Sequence, residues 1–162
     1  GSIEDTRAVG DLMNAARDED PEVRRAVIDA LGSLEDRRAA PTIARALSDQ
    51  DVEVRRAAAN AMGSLDDLRQ VPRELIAALS DSDSEVRQNA VQAMDNFEDP
   101  AAVAPLIALL KDPDVEIRRA VVEALEDIDD PAALRALREA LRDEDPEVRR
   151  RAAQALGNRA SK

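Results

Sequence analysis

The sequence predicts an all-α chain of about ten helices stacked as a solenoid. Three features point there: a 31-residue internal repeat, two apolar stripes of helical period in each repeat, and almost no aromatic residues. The repeat is anchored by Val23-Arg24, Val54-Arg55, Val86-Arg87, Ile117-Arg118 and Val148-Arg149, at spacings of 31, 32, 31 and 31. An acidic loop precedes each anchor: DEDPE (18–22), DQDVE (49–53), DSDSE (81–85), DPDVE (112–116) and DEDPE (143–147). Self-similarity at such a period is the mark of stacked supersecondary units that cannot bury their apolar faces alone. Aromatics make up 1% of the 162 residues, essentially Phe97, so the core must be Ala, Val, Leu, Ile and Met. A core that thin suits closely spaced helices.

The chain opens on GSIED, which parallels GSLED at 32–36 and GSLDD at 63–67. Ile3 then corresponds to Leu34 and Leu12 to Ile43, which places the first residues in a turn leading into a helix, here called B. Leu12 and Ala16 form the first B stripe. The second helix of each unit, called A, starts at the anchor. In PEVRRAVIDALGSL, Val23, Ala26, Val27, Ala30, Leu31 and Leu34 share one helical face. Asp20, Asp51, Asp83, Asp114 and Asp145 stand where an N-cap carboxylate accepts an otherwise unpaired backbone N–H. Pro21 and Pro146 fall at the first helical position, where a missing N–H costs nothing. Glu in the first turn faces the positive helix end. Gly32, Gly63 and Gly157 stand where a C-terminal turn is expected.

Later B helices follow the same plan. Val103, Leu106 and Leu110 form one stripe, and Leu134, Leu137 and Leu141 another. Pro41, Pro72 and Pro105 fall in the first turn or two, where proline is best tolerated. The extra residue of the 32-residue spacing lies near Pro72, in QVPREL, and predicts a bulge or a shifted helix start. Phe97 aligns with Leu34, Leu65 and Ile128 and is expected in the core. The chain closes on helix A at Val148–Gly157.

The segment DPDVEIRRAVVEALEDIDDPAALRALREAL (112–141) resembles the HEAT-like repeats of the bilin-lyase (PBS lyase) class, which carry an acidic loop, Val-Arg, an Ala-rich helix, a turn and a second helix. The resemblance covers nearly the whole chain. It implies a right-handed α-solenoid of five B–A helix pairs, with a single HEAT-like domain over 1–157. Its units are 1–31, 32–62, 63–94, 95–125 and 126–157, with a flexible tail at 158–162. The sequence departs from the class at the Leu-Gly-Asp turn, whose glycine is replaced by Glu35, Asp66, Glu98 and Asp129.

The side-chain inventory narrows the chemistry. There is no His, Cys, Tyr or Trp, so the usual neutral-pH base and the common nucleophile–base pairs are missing. No catalytic residue, cofactor site or metal site is expected, and the protein is not read as an enzyme. Some members of the resembled class are hydroxylases that hold metal with His-Glu pairs; without His, that role transfers to no position here. DSDSE (Asp81, Asp83, Glu85) looks like part of a calcium loop, but the position requiring a bidentate Glu is Gln92. Capping is the simpler account of it. The net charge of −12 argues against nucleic acid, whose binders present basic surfaces. No apolar run reaches the roughly 18 residues of a membrane span, and a cytoplasmic location is the default expectation.

Two surfaces remain. The arginines Arg24, Arg55, Arg87, Arg118 and Arg149 form a ladder, either an anion row or a set of ties to Asp residues of their own or neighbouring loops. HEAT-type solenoids line their concave side with helix B. Its outward positions include Asp11, Asn14, Arg17, Thr42, Ser48 and Glu74, and the candidate binding face is Arg45, Arg73, Ala77, Ala104, Ala108, Lys111, Arg135, Glu139 and Arg142. The expected role is a non-catalytic scaffold for an unidentified protein or peptide. One alternative is an engineered or designed repeat protein with no natural ligand, although uneven substitutions between repeats argue against simple consensus design. A weaker alternative is an auxiliary bilin-lyase-type subunit. An open B helix at one end and an open A helix at the other also predict weak head-to-tail association, Val148–Leu156 of one chain meeting Val9–Met13 of the next.

Overall fold

The computed structural model describes residues 3–65, 70–94, 97 and 99–160. Among them lie ten α-helices and three short 3-10 turns, and no strand. B helices are α1 (Ile3–Ala15), α3 (Ala40–Ala46), α5 (Arg73–Ala78), α7 (Val103–Ala108) and α9 (Pro131–Ala140). A helices are α2 (Pro21–Ser33), α4 (Val52–Gly63), α6 (Ser84–Met94), α8 (Val115–Asp127) and α10 (Pro146–Ala160). The chain divides into two compact units, Gly1–Phe97 and Glu98–Lys162. In the first, α2 packs on α4 and α4 on α6; in the second, α8 packs on α10. Like packs on like because every A helix repeats the same apolar face in the same register.

The acidic loops start the A helices as expected, and each uses two aspartates. Asp20 accepts the N–H of Glu22 at 2.9 Å, Asp51 that of Glu53 at 2.9 Å, Asp114 that of Glu116 at 2.9 Å and Asp145 that of Glu147 at 3.0 Å. Asp83 takes the N–H of Val86 at 3.1 Å. Two residues upstream, Asp18, Asp49, Asp81, Asp112 and Asp143 each accept the N–H of the capping Asp. Asp36, Asp99 and Asp130 perform the same service for the B side. Pro21, Pro131 and Pro146 open their helices.

The core is aliphatic. Ile28, Leu31, Ile43, Met62, Leu75, Leu79, Leu106, Ile117, Leu125 and Leu137 are all 0–1% exposed, and Phe97 is buried with them. Each such side chain contributes about 1.5–3 kcal/mol by leaving water. Leu141, by contrast, is 40% exposed although it ends the α9 stripe, whereas its counterpart Leu47 in the first unit is 4% exposed. Leu47 ends α3, which packs on α5.

Several local expectations change. The glycines are not left-handed caps, for no described glycine has positive φ. Gly32 lies inside α2, and a Cβ built on it would sit 2.7 Å from Ala61 Cβ and 3.1 Å from Ala61 Cα. Glycine is required there because α2 and α4 approach too closely for a side chain. The left-handed turn residue is instead Glu35, at φ 50°, which stands where the resembled class has glycine. Asp66 and Glu98 lie outside the described residues. α1 is already helical at Ile3, so Ile3-Glu4-Asp5 is not a turn like Leu34–Asp36. Near the extra residue, α5 starts only at Arg73, with Pro72 in extended backbone at ψ 137° as its cap. At the far end α10 runs to Ala160. Arg159 donates to the carbonyls of Leu125, Glu126 and Ile128, and Asn158 to Glu126, so residues 158–160 are docked helix and not tail. Residues 161 and 162 lie outside the described residues.

Candidate functional site

The arginine ladder is resolved by its geometry. Arg24 on α2 reaches the loop before α4, its Nε and Nη2 each 2.8 Å from an Asp49 carboxylate oxygen. Its Nη1 is held by the carbonyls of Asp18 and Glu19 in its own loop. Arg55 repeats the arrangement on Asp81, with Asp49 and Gln50 carbonyls behind it. Arg118 repeats it on Asp143, at 3.0 and 3.2 Å, with the Asp112 carbonyl behind it. The planar fork suits this work, because one end can hold carbonyls while the other takes a carboxylate bidentately.

A second ladder runs beside the first. Arg56 grips Asp83 at 3.0 and 2.6 Å, and Arg119 grips Asp145 at 3.1–3.3 Å. Arg24, Arg55, Arg56, Arg118 and Arg119 are therefore bridges between successive repeats, not an open anion row. The Arg56 guanidinium holds the Asp83 carboxyl down to about 2, and Arg24 holds Asp49 below the ordinary carboxylate range. Asp81 and Asp83, which resemble part of a calcium loop in sequence, are engaged by Arg55, Arg56 and backbone N–H groups.

Helix B has a different character. All nine residues of the candidate face, Arg45, Arg73, Ala77, Ala104, Ala108, Lys111, Arg135, Glu139 and Arg142, are exposed, as are Asp11, Asn14, Arg17 and Ser48. Two expected outward positions differ: Thr42 is 3% exposed, on the inner side of a helix only seven residues long, and Glu74 is half-buried beside Arg73. In the first unit a cleft of about 460 Å³ opens between the end of α1 and α3–α4, lined by Arg17, Arg24, Thr42, Arg45, Ser48, Asp49 and Gln50 among others. Arg24 and Asp49 neutralise one another there. Arg45 donates only to the Thr42 hydroxyl, at 3.4 Å. Arg17 has neither a hydrogen bond nor an ion pair among the described residues.

This division holds along the chain. On the A helices, Arg24, Arg25, Arg55, Arg56, Arg118, Arg119, Arg150 and Arg151 all meet carboxylates. On the B side, Arg17, Arg45, Lys111, Arg135, Arg138 and Arg142 meet none among the described residues. Arg38 and Arg73 are the B-side departures: Arg38, just before α3, pairs with Asp36, and Arg73 pairs with the adjacent Glu74 while its own side chain stays 93% exposed.

The HEAT-repeat pattern matches residues 9–73 and 72–157. The chain belongs to the HEAT-repeat family. No curated protein matches it by sequence. Among solved structures, the HEAT array is similar to the complex of CpcE and CpcF of phycocyanin lyase from Nostoc sp., at 24% identity and a TM-score of 0.77, over 100% of this chain and 67% of that one. It is also similar to an engineered protein (24% identity, TM-score 0.70, 98% of this chain and 82% of that one). A designed armadillo repeat protein in complex with the peptide (KR)4 shares 20% identity at a TM-score of 0.73, over 96% of this chain and 83% of that one. These likenesses establish an α-solenoid class fold. Among the described residues no helix is long and apolar enough to cross a membrane.

Proposed function

We propose that this HEAT-repeat protein is a non-catalytic scaffold whose B-helix arginines receive an acidic segment of a protein or peptide. The observation that carries this reading is the segregation of its arginines. The chain has 35 acidic residues against 23 basic ones, so an arginine would find a carboxylate readily if folding placed one nearby. The A-helix arginines Arg24, Arg55, Arg56, Arg118 and Arg119 do. Arg17 and Arg45 line a cleft in the first unit, where Asp49 is already held by Arg24, and among the described residues neither they nor Arg135, Arg138 and Arg142 in the second unit meet a carboxylate. Unpaired guanidiniums with bidentate geometry favour carboxylates or phosphate esters. The small residues Ala104 and Ala108 leave room for a main chain to approach α7. The designed armadillo neighbour holds a basic peptide; here the recognising charge has the opposite sign.

Titration with an oligoglutamate peptide at low ionic strength tests this. Binding is expected despite the net negative charge, weakening as salt screens it. Arg17→Glu with Arg45→Glu should weaken it with far-UV circular dichroism unchanged. Asp29→Lys with Asn60→Lys, on the A helices, should leave the Arg17–Arg45 contribution intact. The reading fails if oligoglutamate does not bind at low salt, or binds the Arg17–Arg45 double variant as tightly as the parent.

A further inference from the structure

The stack of α2 on α4 is a template with three parts, and the outer faces of α2 and α10 each carry one half of it. The first part is the ladder. Arg149 on α10 is anchored like every other rung, its Nη1 on the carbonyls of Asp143 and Glu144 at 2.7 and 2.8 Å. Its Nε and Nη2, which in Arg24, Arg55 and Arg118 grip the next loop's Asp, meet no carboxylate among the described residues. At the other end Asp18 accepts one bond, from the Asp20 N–H. Its counterparts Asp49, Asp81 and Asp143 each hold a guanidinium as well.

The second part is apolar. Val23 and Leu34 on the free side of α2 are 39% and 44% exposed, while their counterparts Val54 and Leu65 on the α4 side are 1% and 0%. Ala26 is exposed where Ala57 is buried. On α10, Ala153 is exposed and Leu156 half-buried, whereas the matching Ile28 and Leu31 on α2 are 1% and 0% exposed under α4. The third part is charge. α10 presents Arg149 and Arg150, and the loop before α2 presents Asp18, Glu19 and Asp20.

We propose that the chain associates head to tail with a second copy of itself, α10 of one copy taking the place that α2 has on α4, against α2 of the next. Arg149 then closes on Asp18, and Ala153 and Leu156 cover Val23, Ala26 and Leu34. This moves the contact from Val9–Met13 to α2, because A helices stack on A helices and Val9 is already 3% exposed. The interface joins two different faces, so it extends into a ring or an open array and does not close as a two-fold dimer.

Light scattering at low salt is the test. Over about a hundredfold concentration range the average mass of the parent should rise beyond that of a dimer, as mass action requires. Arg149→Asp and Asp18→Arg should each hold the mass at 17.6 kDa. An equimolar mixture of the two should associate again, since the Arg149 end of one meets the Asp18 end of the other. Both variants replace exposed side chains, and unchanged circular dichroism verifies their fold. A parent that stays monomeric throughout, a mass that stops at the dimer, or association undiminished in either single variant would overturn the proposal.

Discussion

Replacing Gly32 with alanine should destabilise the protein, against the usual expectation for a glycine inside a helix. Intrinsically the change favours the helix by about 1 kcal/mol. The packing of α2 on α4 imposes a greater cost. The new methyl would lie 2.7 Å from Ala61 Cβ and 3.1 Å from Ala61 Cα, where carbon atoms normally rest at about 3.5–4.0 Å. Neither neighbour is the movable end of a long side chain, so α2 and α4 must part by several tenths of an ångström. Over-packing of this kind costs about 1–3 kcal/mol, and the rigid backbone contact places it near the upper end. The net loss is about 1–2 kcal/mol, or roughly 3–8 °C in melting temperature for a chain of this size. Differential scanning calorimetry reads it directly. Gly157→Ala supplies the contrast, because a Cβ there meets nothing within 4 Å; it should raise the melting temperature slightly. Adding Ala61→Gly to Gly32→Ala should recover part of the loss beyond additivity. If Gly32→Ala melted at or above the parent temperature, the close approach of α2 and α4 would not be what selects glycine.

Arg118→Ala should cost about 2–3 kcal/mol, since Arg118 is 6% exposed and bridges Asp143, Glu144 and the Asp112 carbonyl; chemical denaturation measures it, and Arg149→Ala, whose fork meets no carboxylate among the described residues, should cost less than half as much. The acid limb of stability should carry the signature of Asp83, held down to about 2 by the hydrogen bonds of Arg56. Its unfolded value is about 3.9, so its contribution is complete above about pH 4 and is lost as pH falls towards 2. The difference in melting temperature between the parent and Asp83→Asn should therefore be constant from pH 8 to about 5 and close below about 4; a gap that persisted at the lowest pH would refute the assignment.

What could be read directly from the sequence was local or periodic. The Asp caps bind N–H groups two or three residues away, so the spacing alone identified Asp20, Asp51 and Asp114. The 31-residue period and the two stripes specified alternating B and A helices, and Phe97 in the core followed from its register. The exposed B-helix positions were legible by the same counting, except Thr42 and Glu74. The rest depended on how repeats settle on one another. Arg24 and Asp49 lie 25 residues apart, and nothing in the period says that the fork reaches the following loop and not its own. Arg17 and Arg138 look like Arg24 and Arg55 in the sequence; only placement separates arginines that meet a carboxylate from those that do not. Gly32 reads as a turn former and Glu35 as an ordinary polar residue. Their roles are reversed by the distance between two helix axes, a quantity set by every side chain in the seam at once and by no single residue within it.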